Sequence, residues 1–65
     1  MEEIERLNNM LEKLPEREAE VVRMNVMDEL SFVEISQILS TPASTVKSRF
    51  KSGMDKLRKQ YLKNQ

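Results

Sequence analysis

SFVEISQILSTPASTVKSRFK, residues 31–51, decides the fold. Ser31 and Glu34 have the spacing of a capping box, in which the serine oxygen accepts from the third-residue amide while the glutamate reaches back. A short helix is expected from there to Leu39, with Phe32, Ile35 and Leu39 along one face. Thr41-Pro42 then repeats the start signal, threonine as N-cap and proline at the first helical position. The helix it opens should run to residue 62. On a wheel at about 100° per residue, Val46, Phe50, Met54, Leu57 and Tyr61 fall within one wedge, with the small Gly53 beside them.

The opposite face of that last helix holds Ser44, Lys47, Ser48, Lys51 and Ser52. Two short helical signals with this spacing, the second polar and basic in its N-terminal half, have the layout of a helix-turn-helix. The partner it suits is DNA. Phosphates need cations and N–H donors, which Lys47, Arg49, Lys51 and the free amides of the helix start can supply. Base edges in the major groove need short donors and acceptors, and Ser44, Ser48 and Ser52 can provide them. A solvated basic face is the plainer reading of such a helix. Against it, Lys47 and Arg49 lie where the helix dipole disfavours cations, so an anionic partner accounts for them better. Lys56, Arg58, Lys59 and Lys63, by contrast, are read first as a solvated helix end that complements the dipole.

Working outward to the N-terminus, Ile4, Leu7, Leu11 and Leu14 recur at spacings of three and four, one apolar stripe on a helix of residues 2–14. Leu14-Pro15 ends it and starts the next, expected over residues 15–28 with proline in its first turn. Ala19, Val22 and Val26 form the main stripe of this second helix, broadened by Val21, Met24 and Met27. The width leaves two readings. Either a small core uses every hydrophobe, or Leu7, Leu11, Val21 and Met24 belong to a surface for a protein partner. The first stripe also fits a two-stranded coiled-coil seam of under two heptads, so an interaction or dimerisation module is a further possibility.

Sixty-five residues, 38% hydrophobic and 34% charged, suit one small soluble all-α domain over residues 1–65, its four helices at about 2–14, 15–28, 31–39 and 42–62. No apolar run approaches a membrane span and no signal peptide is visible, so a cytoplasmic location is expected. Without cysteine or histidine, thiol chemistry, imidazole bases and the usual zinc sites are excluded. Glu16 with Glu20 has no nucleophile beside it, so the chain is not expected to be an enzyme or to carry a cofactor or metal. The formal net charge is zero, yet it is polarised: residues 1–29 carry nine acids against four bases, and residues 30–65 two acids against seven bases. One half suits a polyanion and the other would be repelled by it.

LPEREAEVV, DELSFVEISQIL and PASTVKSRFKSGMDKLRK, together spanning most of residues 11–61, resemble region 4, the C-terminal DNA-binding domain of bacterial RNA polymerase sigma factors, particularly the extracytoplasmic-function group. The resemblance implies a helix-turn-helix whose long last helix enters the major groove of the −35 promoter element during transcription initiation. It implies base and phosphate contacts from Pro42, Ser44, Lys47, Ser48, Arg49, Lys51 and Ser52, and docking of the remaining surface on the flap of the polymerase β subunit or on an anti-sigma factor.

The chain departs from that pattern at two places. Where the family often has Gly-Ile-Pro-x-Gly-Thr, residues 40–45 read Ser-Thr-Pro-Ala-Ser-Thr, so Ser40 is expected to make the turn in a left-handed conformation that suits serine poorly. Ser36 stands where alanine is usual, and is expected to bury a hydroxyl near the turn. Nothing in the sequence could hold the N-terminal sigma domain that melts the −10 element, so the chain is either an excised domain or a small protein that kept this module. LuxR-type regulators have comparable E-I-A and T-V-K runs, where this chain reads Glu34-Ile35-Ser36 and Thr45-Val46-Lys47, but Lys47-Ser48-Arg49 followed by a long Lys- and Arg-rich helix fits the sigma pattern better.

Overall fold

The computed structural model describes residues 2–63. They form four helices, α1 (Glu2–Glu12), α2 (Glu16–Val26), α3 (Phe32–Leu39) and α4 (Ala43–Lys63), with no strand among the described residues. The fold is all-α, with a helix-turn-helix in α3 and α4 and the long helix last. No helix among them is long and apolar enough to cross a membrane.

The ends differ from the sequence expectation for local reasons. α1 stops at Glu12 rather than residue 14 because Lys13 and Leu14 donate to the carbonyls of Met10 and Leu11, at 3.2 and 3.0 Å, in a tightened last turn. Pro15 is extended, with φ −52° and ψ 139°, so it stands just outside α2 instead of in its first turn. Its carbonyl accepts from Glu18 and Ala19 at 3.0 Å each. Pro42 does the same for Thr45 and Val46, also at 3.0 Å. Thr41 is therefore not the N-cap of α4; its hydroxyl donates back to the Leu39 carbonyl at 3.1 Å. α2 ends at Val26, two residues early, where left-handed Glu29 (φ 58°) reverses the chain. The Asn25 side-chain amide clasps that reversal by donating to the Leu30 carbonyl at 2.8 Å.

Both halves of the capping box are present at α3. Ser31 Oγ accepts from the Glu34 amide at 3.1 Å, and the Ser31 amide donates to Glu34 Oε1 at 2.9 Å. The Ser31 amide, helped by the Ser31 hydroxyl bond, holds the Glu34 carboxyl below its ordinary pKa. At the other end Ser40 is left-handed, with φ 52° and ψ 43°. The Thr41 amide reaches the Ser36 carbonyl at 3.0 Å and the Ser40 amide the Gln37 carbonyl at 3.4 Å, which is a Schellman motif with serine where glycine is preferred. Ser36 departs from expectation: it is only half-buried, and its hydroxyl donates to the Val33 carbonyl at 2.7 Å. Ser40→Gly should relieve the left-handed strain and stabilise the fold by about 1 kcal/mol. In a thermal melt that is a rise of roughly 4–8 °C for a domain of this size; an unchanged or lower midpoint would refute the strain.

α4 packs against all three other helices, while α1 and α3 do not touch. Two clusters result. Leu11, Leu14, Ala19, Val22 and Leu57 join α1 and α2 to the middle of α4, and Val21, Ile35 and Val46 join α2 and α3 to its start. Phe50 packs against both clusters, and its ring meets that of Phe32 at 5.1 Å and 58°. Leu11 and Val21 are fully buried, at 0% exposure, so a partner cannot reach them while the fold is intact. This corrects their reading as partner residues. The coiled-coil seam is lost for the same reason, since Leu11 and Leu14 face the chain's own core.

Candidate nucleic-acid interface

The turn at Ser40 fixes how α4 leaves α3, and α4's contacts with the other helices fix which side of it meets solvent. Val46, Gly53 and Leu57 are the buried side. Turned away from them, Ser44, Lys47, Ser48 and Lys51 are exposed on the N-terminal half of α4, with Pro42 exposed at its start and Ser52 half-buried at the edge. The structure thus brings most of the sequence-derived contact residues onto one polar, basic face. Arg49 is the exception. It is half-buried and turned to the flank, where it lines a hollow of about 250 Å³ between α2 and the turn, together with Arg17, Glu20, Leu39 and Thr41.

A family model described as Sigma-70, region 4 matches residues 4–57. The chain belongs to this family. It is similar to the ECF RNA polymerase sigma factor SigW of Bacillus subtilis (strain 168), 46% identical over 48 residues that cover 74% of this chain and 26% of that protein. The match therefore spans about a quarter of that relative's length. No solved structure matches the chain.

In this region 4 chain six of the basic residues of α4 divide into two sets. Lys56 Nζ lies 2.9 and 3.0 Å from the two carboxylate oxygens of Glu18, tying α4 to α2. Arg58 Nη2 lies 2.7 Å and Lys59 Nζ 3.5 Å from the Asp55 carboxylate. The Lys59 charge, with smaller help from Arg58, holds that carboxyl below its ordinary pKa. These downstream cations already have anions within the molecule. Lys47, Arg49 and Lys51 form no ion pair among the described residues. Of these six, the second set is the one left to meet an external anion.

Arg17 is a second cation at the Arg49 hollow that sequence reasoning did not single out. It sits in the acid-rich half of the chain, 32 positions before Arg49, and no local pattern links the two. Only the packing of α2 against α4 puts both guanidinium groups on one hollow. Of the supposed partner residues, Leu7 and Met24 stay half-buried and reachable, in different places: Leu7 beside α4, Met24 against the α3 cluster.

Proposed function

We propose that this region 4 chain binds the −35 element of promoter DNA in the major groove through Pro42, Ser44, Lys47, Ser48, Lys51 and Ser52, with Arg49 and Arg17 gripping the flanking phosphate backbone. It works in the cytoplasm as a binding module, without catalysis, and RNA polymerase holds it over the promoter through contact of the β-subunit flap with Leu7 beside α4 or with the separate patch at Met24. One observation carries the reading: Lys47, Arg49 and Lys51 in the N-terminal half of α4 form no ion pair among the described residues, while Lys56, Arg58 and Lys59 further along pair with Glu18 and Asp55. A merely solvated basic helix has no reason to concentrate unpaired charge where its own dipole opposes it.

Fluorescence anisotropy of labelled duplexes over a salt series tests this. If all seven basic residues of α4 counted toward the interface, a steeper dependence would follow; with Lys47, Lys51, Arg49 and Arg17 alone, log affinity should fall with log salt at a slope near −3.6, about −0.9 per phosphate. Ser48→Ala should leave that slope unchanged and alter which duplex is preferred, by about 1–3 kcal/mol at the base it reads. Equal weakening on every duplex would remove its base-reading role.

A further inference from the structure

An open groove of about 1020 Å³ lies between α1 and α4. Its walls are apolar, with Leu7 and Met10 on one side and Phe50, Met54, Leu57 and Tyr61 on the other; Met54 and Tyr61 are 39% and 51% exposed. Lys51 stands along the α4 edge, with Arg58 beside it held by Asp55 of the same edge at 2.7 Å. A fitting occupant offers a short apolar stripe flanked by carboxylates, as an acidic amphipathic helix does in a hydrophobic groove. α1 of this same chain is such a helix. Its outer side exposes Ile4, 53% accessible, among the exposed Glu2, Glu3 and Glu5.

We propose that the groove receives α1 of a second copy of the chain. Because α1 is also one wall of the groove, the arrangement is reciprocal and closes as a two-fold pair. Each Ile4 meets the other copy's Met54 and Tyr61, and the acids around it face the other copy's Lys51, which forms no ion pair among the described residues. The polarised charge of the two halves of the sequence makes the chain complementary to itself in this way. The apolar stripe is short, so the pairing belongs to the small, transient class of interfaces and weakens with salt. Ser48, Lys51 and Ser52 line the same groove, so a paired copy covers part of the face assigned above to DNA. That last consequence rests on the proposed DNA-binding function, and by linkage duplex and self-pairing then oppose each other equally.

Sedimentation equilibrium on the full chain without DNA, at rising concentration and two salt levels, reads the pairing directly. The expected result is a monomer–dimer equilibrium that salt weakens, with the dissociation constant raised about tenfold or more by Met54→Glu and by Ile4→Lys. Both side chains are exposed, and thermal melts of the variants show that the fold is kept. A monomer at every concentration, or a dimer indifferent to both substitutions, overturns the proposal. Adding a short duplex should convert dimer to DNA-bound monomer. A dimer that binds duplex without dissociating overturns the shared face, whereas a duplex that binds neither form overturns the DNA reading and leaves the pairing supported by the sedimentation result.

Discussion

Gly53→Leu should lower the melting temperature by more than about 12 °C, or abolish cooperative melting. A Cβ placed on Gly53 would lie 2.9 Å from Val22 Cγ2 and 3.5 Å from both the Glu18 Cβ and the Glu18 carbonyl oxygen. None of these can yield cheaply. Val22 is β-branched and 1% exposed, and the Glu18 atoms are at or next to the backbone of α2. The rest of a leucine side chain must then push α2 and α4 apart, opening the cluster of Leu11, Ala19, Val22 and Leu57 and stretching the Glu18 to Lys56 ion pair. Overpacking of this kind costs about 3 kcal/mol or more. Against a total stability of roughly 3–10 kcal/mol for a chain of this length, that is a large share. Far-UV circular dichroism during heating measures it. Gly53→Ala makes the sharper test, because alanine gains about 1 kcal/mol of helix propensity. A higher midpoint for Gly53→Ala would mean that α2 and α4 can separate slightly at no cost, and the close approach would lose its structural role.

The second large effect is on binding. Lys47→Ala/Arg49→Ala should weaken duplex affinity about 100-fold or more at moderate salt, since two charge-assisted phosphate contacts are each worth about 1.5–3 kcal/mol. The salt slope should flatten by about 1.8 at the same time. Stability should not fall. Neither residue has an ion-pair partner among the described residues, and removing cations from the first turns of α4 relaxes their repulsion from the helix dipole. An unchanged or slightly higher melting temperature beside a large loss of affinity therefore separates a binding role from a structural one. Loss of both together would mean that Arg49 acts through its packing at the hollow beside Thr41 rather than through DNA.

The hydrophobic period, the capping box and the two prolines made four helices and the helix-turn-helix legible from residues alone. These signals act over three or four positions, through backbone angles and hydrogen bonds that need no distant partner. Even the weak point of the motif was visible, because the absence of glycine at residue 40 left serine to adopt the left-handed turn that it does adopt. The prolines were placed one position too far inside their helices, since a proline can begin a turn either as its first residue or, with extended ψ, as its cap, and the flanking sequence does not choose.

Which part of a broad apolar stripe is core could not be read in the same way. An amphipathic helix declares a face, but its depth in the fold depends on the helix that covers it. Leu11 and Val21 look no different from Leu7 and Met24 until α2 and α4 close over them. Charge behaves alike: Lys56 and Lys51 are equivalent in sequence, and only the approach of Glu18, 38 positions away, neutralises one and leaves the other for a partner. The sequence by itself determined the helices, their order and the polar, basic face of α4, because those follow from local geometry. The tertiary structure alone decided which hydrophobes and which cations remain outward, because burial and ion pairing are set by segments that meet only when the chain is folded.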